Sequence, residues 1–459
     1  MKTQILVLSL GVFCVCQAAL AGTPVTFTEN VAPIFMENCV ICHRPGEIAP
    51  MSLLSYEEAR PWAKSIRNKV ALHEMPPWDG DPASLPMSND ISLDQKDIDT
   101  ILAWIDQGAA RGPLDKMPKA PKFASDWKMG EPDYVIDMGE FDVAATGDDV
   151  FITKAFRLSL PENQWIRAVE VKPGNNKVLH HLVGFKGFFE MGEGTNISEG
   201  VQIKPSERRS IDIFSIWAAG SPPAIFPDGT GHPFAKDQLV SFNIHYHPYG
   251  EATRDHSKVG IYFGKGELKK EITTGFAMNT GIEIAANEKS EPWRASYVFG
   301  NDSRIVSFFP HMHQRGQSMK YDLTTPDGKT RTLLNVPNYD FNWQWHYVLE
   351  KALDVPKGSR LDVFATWDNS AEKAGNPDPL QEIVFGEGSN AEMHIGFFEF
   401  VPKEGIAARP VATQENVGPL LALHPAEESY RVEIGGGLGK LVWGLHLPKE
   451  CRGTFYIIE

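Results

Sequence analysis

Residues 238–246 read QLVSFNIHY, and apolar Val240, Phe242 and Ile244 alternate there with polar side chains. Side chains at positions i and i+2 of a strand point to the same face, so this alternation predicts a β-strand with one buried face. Similar short runs, separated by clusters of Pro, Gly, Asn and Asp, lie at residues 165–171, 258–263, 304–309 and 360–367. The pattern predicts antiparallel β-sandwiches from residue 133 onwards.

The segment before this region has helical periodicity instead. Its clearest helix is predicted over residues 92–108, where Ser92 and Gln95 fit a capping box. A second helix is predicted over residues 56–72, and a shorter one before the first cysteine of the mature chain. Residues 26–112 are therefore predicted to form a small all-helical domain, followed by a Pro- and Lys-rich linker.

Length and charge limit the domain count and the partners. The chain has 459 residues, 42% of them hydrophobic, so two to four domains are expected. Its net charge is -15 and it has no basic run, which argues against nucleic acid as a partner. The predicted order is a signal peptide (1–21), a helical cytochrome c domain (22–112), a linker (113–132), a first copper-binding β-sandwich (133–270), a second one (271–402) and a C-terminal β extension (403–459).

The first 22 residues have the features of a secretory signal peptide. Lys2 precedes a short apolar run, and Ala19 and Ala21 form an A-x-A cleavage pattern. The apolar run is shorter than the roughly 20 residues that a membrane-spanning helix needs. We therefore predict cleavage before Gly22, a periplasmic or secreted location, and no membrane anchor after cleavage.

Cysteines of the mature chain indicate a haem rather than disulfides. Cleavage leaves three of the five, namely Cys39, Cys42 and Cys451. Residues 39–43 read CVICH, a C-x-x-C-H motif in which two thiols bond to the haem and the imidazole binds iron. Zinc would need further ligands in this segment, which offers only His73, and a redox-active dithiol does not account for His43. The motif predicts one covalently bound haem c.

Three side chains downstream of the motif could provide the sixth iron ligand: Met51, His73 and Met75. Met75 is favoured, because Pro76 and Pro77 would hold the chain extended and a thioether ligand would raise the reduction potential. With its N-terminal helix, haem motif, methionine loop and C-terminal helix, the segment over residues 26–112 resembles a class I cytochrome c.

The β region contains three closely spaced histidine pairs, namely His180 with His181, His245 with His247, and His311 with His313. Two histidines at i and i+2 of a strand can present both imidazoles to one metal ion. Adjacent His180 and His181 would face opposite sides of a regular strand, so a shared ion requires a twist, a bulge or mixed ring-nitrogen ligation. Met393 adds a thioether, and imidazole with thioether in an exported protein indicates copper.

The sequences VLHHLVGF, NIHYHPYG, FPHMHQRG and AEM, in this order over residues 133–402, resemble the copper type II, ascorbate-dependent monooxygenases, which include peptidylglycine hydroxylating monooxygenase and dopamine β-hydroxylase. The resemblance implies an electron-transfer copper held by His180, His181 and His245. It also implies a catalytic, oxygen-activating copper held by His311, His313 and Met393. The implied fold is two jelly-roll-like sandwiches facing across a solvent-filled cleft.

Two positions depart from the peptide-amidating members of that family. Phe309 stands where those members have an arginine for the substrate carboxylate, and Phe397 stands where they have a tyrosine. An apolar pocket is thus expected in place of a carboxylate clamp, which disfavours a glycine-extended peptide as substrate. His247, His346 and His394 do not map onto family ligands and stay outside the predicted ligand set.

The predicted fold class is therefore multidomain, a small all-α cytochrome c domain followed by two all-β jelly-roll-like sandwiches. The predicted function is a monooxygenase that hydroxylates a C–H bond of an unknown organic substrate with O2. Two copper ions and one haem c serve as cofactors, and a small reductant or another cytochrome donates electrons. The alternatives are a non-catalytic haem and copper protein of the periplasm, and a cupin-like site at His245, His247 and Glu251, which would leave the other ligands unexplained.

Overall fold

A computed structural model describes residues 24–403, except 124–126, 190–193, 198–200, 202, 205–206, 208–211, 291, 387 and 389. The predicted signal peptide, Cys451 and the extension beyond Lys403 lie outside the described residues. The chain forms two compact units. The first comprises the described parts of Met1–Pro45, Met51–Glu74 and Leu93–Ala120, and the second comprises those of Gly46–Pro50, Met75–Ser92 and Pro121–Glu459.

Short helices build the first unit. They are α1 (Ala32–Asn38), α2 (Tyr56–Ala59), α3 (Ala63–Ala71) and α4 (Gln95–Asp106), with a π-helical turn at Phe27–Val31 and 3-10 turns at Arg60–Trp62 and Leu114–Lys116. Phe27, Phe35 and Trp104 pack against one another in the centre of its core. Ala59 of α2, and Ile66 and Val70 of α3, belong to the same core, to which each helix contributes its apolar face.

Two local predictions about these helices are wrong. The helix predicted over residues 56–72 is interrupted by the 3-10 turn that contains Pro61, which has no N–H to donate to the helical ladder. The N-cap of α4 is Asp94 rather than Ser92, since the Asp94 carboxylate accepts the N–H of Asp97 at 2.8 Å.

The second unit begins with thirteen described strands. They are β1 (Tyr134–Asp137), β2 (Phe141–Val143), β3 (Val150–Arg157), β4 (Gln164–Lys172), β5 (Leu179–Lys186), β6 (Gly194–Ile197), β7 (Asp212–Ala218), β8 (Ala224–Ile225), β9 (Thr230–Phe234), β10 (Leu239–Tyr246), β11 (Thr253–Asp255), β12 (Lys258–Phe263) and β13 (Lys270–Glu271). One sheet has the order β1-β12-β4-β9-β13, with β8 on β4, and another has β6-β3-β10-β5-β7. Val169 and Ile261 of the first sheet share a core with Leu182 and Ile244 of the second.

Ten further strands follow. They are β14 (Thr273–Met278), β15 (Glu283–Ile284), β16 (Trp293–Val298), β17 (Ser303–His311), β18 (Gly316–Thr324), β19 (Thr330–Val336), β20 (Tyr347–Val355), β21 (Arg360–Trp367), β22 (Ile383–Val384) and β23 (Ile395–Pro402). Their two main sheets have the orders β14-β23-β17-β20 and β16-β21-β18-β19. A second core lies between them and includes Phe308, Met312, Tyr321 and Phe398.

The predicted fold class is wrong. The residues that the structure describes are mostly β, with 38% strand and 12% helix, and no all-α cytochrome c domain is evident among them. Residues 75–92, which were expected inside the helical domain, group with the β unit, where Met87 pairs with Leu349. Jelly rolls are antiparallel, whereas β3 pairs with β6 and β9 pairs with β13 in parallel. Local periodicity indicates whether a segment is a helix or a strand, but not which other segments it pairs with. The domain of residues 75–92 and the parallel strand pairs could therefore not be predicted from it.

Among the described residues, no helix is long enough and apolar enough to span a membrane.

Candidate metal centre

Two neighbouring strands place His181 and His245 directly opposite each other. His181 on β5 pairs with His245 on β10, and the next pair in the register is Tyr246 with Leu179. The ladder therefore skips His180, which lies at a β-bulge. A bulge breaks the regular alternation of a strand, so the side chains of two adjacent residues can reach the same side.

The Nδ1 atoms of these three histidines converge. His181 Nδ1 lies 3.4 Å from His180 Nδ1 and 3.2 Å from His245 Nδ1. Ligand atoms of the three residues all lie within 4.8 Å of one another. Metal–nitrogen bonds of about 2.0 Å at tetrahedral or trigonal angles separate ligand nitrogens by about 3.3–3.5 Å. The spacing of the three atoms therefore fits a single metal ion.

Asp149 holds one of these rings in the required orientation. His245 Nε2 donates to Asp149 at 2.8 Å, which leaves the lone pair on Nδ1 for a metal. The other oxygen of Asp149 accepts Nδ1–H of His247 at 2.6 Å. His247 is about half exposed, with 52% of its side chain accessible, and contacts the carboxylate rather than the convergent nitrogens. Asp149 lies 96 positions before His245, and no motif in the sequence marks it as a partner of the histidines.

Burial keeps this histidine set neutral. Burial, followed by the proximity of the other rings, lowers the pKa of His180 and His181 well below the usual value. Burial also lowers the pKa of His245, although Asp149 opposes that effect. Phe151 stacks on His245 with 4.1 Å between ring centroids, and Phe341 stacks on His180 with 4.4 Å. A neutral imidazole is the form that binds metal.

The second histidine set lies where β17 and β23 pair. Phe308 and Met312 point into the core, whereas His311 and His313 alternate with them and face away from it. β17 ends at His311, which pairs with Ile395 at the start of β23, so His313 follows the end of one strand and Met393 precedes the start of the other. Met393 is buried. The three predicted ligands of this set are thus brought to one end of one strand pair.

Hydrogen bonds orient both rings of the second set. His311 Nδ1 donates to the Gln344 side-chain oxygen at 2.7 Å, and His313 Nδ1 donates to the Ala391 carbonyl at 3.1 Å. Both rings keep Nε2 for a metal, which is the usual arrangement of metal-binding histidines. Burial lowers the pKa of His311 to about 4 and that of His313 to about 3, so both are neutral.

A buried carboxylate, missed by the sequence analysis, supports the same strand end. Glu392 accepts the backbone N–H of His313 at 2.8 Å, the backbone N–H of Arg315 at 2.6 Å and the Trp367 indole N–H at 3.0 Å. Burial raises the pKa of Glu392 to about 7 against these hydrogen bonds. In the sequence, only its position directly before the predicted ligand Met393 indicated that Glu392 lies near the site.

The two histidine sets touch each other. The rings of His181 and His311 meet edge to face with centroids 5.9 Å apart, and each residue is 8% exposed. His311 and His313 are 5.3 Å apart by the same measure. The solvent-filled cleft implied by the resemblance is not found between these rings, which form one continuous buried cluster.

Phe309 and Phe397 line a small cavity beside this cluster. Phe397 lies 6.3 Å from His311 between ring centroids, and Glu399 and His346 complete the polar part of the wall. The cavity volume is about 10 Å³, which is room for about one water molecule. The apolar wall agrees with the two departures in the sequence, but the space as it stands would not hold an organic substrate.

His346 is more than a packing residue. Its Nε2 lies 2.7 Å from Ser307 Oγ and 3.2 Å from Glu399. Ser307 also donates to Glu399 at 2.6 Å. Because the acid contacts the same ring nitrogen as the serine, rather than the opposite one, this trio lacks the relay geometry of a serine hydrolase.

The haem motif forms a helical turn in the first unit. His43 N–H donates to the Cys39 carbonyl at 2.9 Å, and His43 Nδ1 donates to the Met51 carbonyl at 3.2 Å. Nε2 of His43 therefore stays available for iron. Burial raises the pKa of Cys39 to about 12, which disfavours the thiolate that zinc binding or dithiol chemistry needs. The residues fit the predicted haem better than those two alternatives.

Placement of the candidate sixth ligands differs. The Met51 backbone carbonyl accepts the Nδ1–H of His43, so the backbone of this candidate is tied to the ring that would bind iron. Met75 falls in the second unit and His73 in the first, with His73 in a left-handed conformation at φ 56°.

No protein-family model matches the chain, and no curated protein matches it either. Among solved structures, the major capsid protein P2 of bacteriophage PM2 is 7% identical with a TM-score of 0.25, covering 60% of this chain and 99% of that one. PNGase F, a glycosylasparaginase from Flavobacterium meningosepticum, is 9% identical with a TM-score of 0.27, covering 61% and 100%. The CBM22-1–CBM22-2 tandem domain of Paenibacillus barcinonensis Xyn10C is 10% identical with a TM-score of 0.15, covering 55% and 83%. Likenesses this weak support no inference about this chain's fold or activity.

Proposed function

We propose that this chain is an exported copper monooxygenase that inserts one atom of O2 into a C–H bond of an organic substrate. The observation that carries the proposal is the convergence of three neutral Nδ1 atoms at His180, His181 and His245, in ring contact with His311. Imidazoles together with the thioether of Met393 favour copper over zinc. The A-x-A pattern at Ala19 to Ala21 supports export.

Each residue of the cluster has a defined task in this proposal. His180, His181 and His245 would hold one copper ion, and His311, His313 and Met393 the other. Copper would supply one-electron redox chemistry and the capacity to reduce O2. Asp149 and Gln344 fix the ring tautomers, so that the metal-binding nitrogens carry lone pairs. Burial of the rings excludes bulk water from the reacting atoms.

Electrons must come from outside the substrate bond, because the reaction reduces the second oxygen atom to water. The fused haem segment, with Cys39, Cys42, His43 and the predicted ligand Met75, would deliver them from a small reductant or another cytochrome. Fusion raises the effective concentration of the donor at the acceptor.

The test is metal analysis and spectroscopy of the purified mature protein, followed by an oxygen electrode. We expect one haem c and two coppers per chain, and O2 uptake coupled to a hydroxylated product. Met393→Ala should abolish product formation at full copper loading. Copper-loaded, reduced protein that consumes no O2 with any of a panel of apolar C–H substrates would reject the proposal.

One observation favours a second candidate, a non-catalytic haem and copper electron carrier. The cavity beside Phe309 and Phe397 has room for about one water molecule, and the histidine rings are largely buried. A carrier needs no space for a substrate. Reversible haem and copper redox chemistry without product formation would favour this candidate.

A further inference from the structure

The sheet that carries the first histidine set reaches the protein surface at one end. We call His180, His181 and His245 the buried set. Asp149 directly precedes β3 and His247 directly follows β10, and these two strands pair antiparallel, so both residues lie at the same end of the sheet. The side chain of His245 is 1% exposed, that of Asp149 10% and that of His247 52%. A row of three contacting side chains thus leads from solvent to the buried set.

Asp149 selects the tautomers of both histidines in this row. His245 donates Nε2–H to one carboxylate oxygen at 2.8 Å, so its Nδ1 lone pair is kept for the buried set. His247 donates Nδ1–H to the other oxygen at 2.6 Å, so its lone pair is on Nε2. Among the residues that the structure describes, none forms a hydrogen bond with this Nε2. His247 therefore offers a free copper-binding nitrogen on an exposed side chain.

The nitrogens of the buried set are out of direct reach for copper that is bound to a large carrier. Phe151 covers His245 with 4.1 Å between ring centroids, and Phe341 covers His180 with 4.4 Å. His181 is 8% exposed. Copper moves between ligand sets through mixed complexes, in which the incoming ligand binds before the outgoing one leaves. Such an exchange requires an exposed ligand next to the buried set, and His247 has this position.

We propose that His247 is the entry ligand of the copper site: its Nε2 takes copper from an external carrier and passes it to the buried set. The inference rests on one part of the proposed function, copper binding by the buried set, and does not require that the chain oxygenates carbon. Each imidazole that binds replaces one ligand of the ion, and no proton or electron is transferred. An entry ligand changes the rates of binding and release by the same factor, so it leaves the Kd of the final site unchanged.

The experiment is anaerobic stopped-flow transfer of Cu(I) from its bicinchoninate chelate to the full, copper-free chain, followed by loss of the chelate colour. All proteins carry His313→Ala, which removes a ligand of the other histidine set, so that the buried set is the acceptor. We expect His247→Ala to slow the transfer about tenfold or more, with the same amount of copper transferred at equilibrium. His247→Met keeps an exposed copper ligand and should restore most of the rate.

His256→Ala is the matched control and should leave the rate unchanged. His256 is also exposed, at 44%, and its Nε2 lies 2.6 Å from Asp137, but in the described part of the chain it contacts no member of the buried set. Near-UV circular dichroism checks that each variant is folded. A normal rate in His247→Ala, or equal slowing in His256→Ala, would overturn the inference. Faster transfer in Phe341→Ala together with a normal rate in His247→Ala would place the entry beside His180 instead.

The same measurements separate this inference from the proposed function. Transfer that depends on His247, in a chain that gives no hydroxylated product, would sustain the entry ligand and reject the monooxygenase. A folded chain that takes up no copper would reject both.

Discussion

At the scale of single residues, carboxylates and amides decide which ring nitrogens face the metal. Asp149 contacts His245 and His247 with its two oxygens, and Gln344 contacts His311. None of these contacts follows from the spacing of the histidines. A ligand set chosen from spacing alone therefore lacks the groups that give it the correct tautomers.

Asp149→Asn should weaken copper binding by about 10- to 100-fold, because an amide no longer guarantees the Nε2–H tautomer of His245. Competition with a chromophoric copper chelator measures this affinity. His247→Ala is the control, since it removes only the exposed partner of Asp149 and should change the affinity little. Wild-type affinity in Asp149→Asn would contradict the positioning role.

Glu392→Ala should lower the free energy of unfolding by about 3 kcal/mol or more, because three buried N–H groups lose their acceptor. Urea denaturation of the metal-free protein isolates this effect from copper binding. Glu382→Ala, at an exposed position, is the control and should be near neutral. An equal effect of the two substitutions would contradict the account.

At the scale of elements, two features are decisive: the bulge at His180 and the extended segment over residues 78–90, which we call the strap. The bulge at His180 supplies one of the distortions that two adjacent histidines require. The sequence analysis placed the strap inside the helical domain over residues 22–112, but its backbone hydrogen-bonds to β19 and β20. It has two prolines, Pro82 and Pro86, and no strand or helix periodicity, so its sequence does not indicate which strand edges it covers.

The strap should be more stable at low pH. Burial, with Asp340 nearby, raises the pKa of Asp79 to about 7. A carboxyl with a raised pKa contributes stability that is fully present below the unfolded value of about 4 and is lost as pH rises through about 7. Asp79→Asn should therefore stabilise the protein at pH 8, by a few kcal/mol at most, and change little at pH 4.

Thermal unfolding at the two pH values measures this difference. Asp340→Asn should reduce the pH dependence only in part, because burial is the larger cause of the shift. Equal effects of Asp79→Asn at pH 4 and pH 8 would contradict the assignment.

At the scale of the whole molecule, the metal ligands lie on sheet faces that point away from the two β cores. Ile244 and Tyr246 of β10 belong to one core, and His245 between them points to the opposite face. Phe308 and Met312 belong to the other core, and His311 points to the opposite face from them. The outer faces meet at the contact of His181 with His311. A bound metal would therefore link both β halves.

Copper should raise the unfolding temperature of the β unit. A ligand that binds only the native state at about 1,000 times its Kd adds about 4 kcal/mol of stability. Differential scanning calorimetry with and without copper, and after chelation, measures the shift. His181→Ala should show a much smaller shift. An identical transition with and without copper would rule out tight binding to the folded chain.

The sequence by itself determined the features that depend on local geometry. Alternation over residues 238–246 predicted β10, and the i, i+2 spacing predicted that His311 and His313 share a face. These patterns follow from the two-residue period of a strand. The helical periodicity likewise located α4, though not its N-cap.

Only the tertiary structure decided the contacts between residues far apart in the chain. It brought Asp149 to His245 across 96 positions, and Ser84 to Asn335 across 251. It also replaced the expected cleft by ring contact and assigned the strap to the β unit. Dihedral preferences and side-chain periodicity act over a few residues, whereas these partners are selected by packing and hydrogen-bond satisfaction of the entire unit.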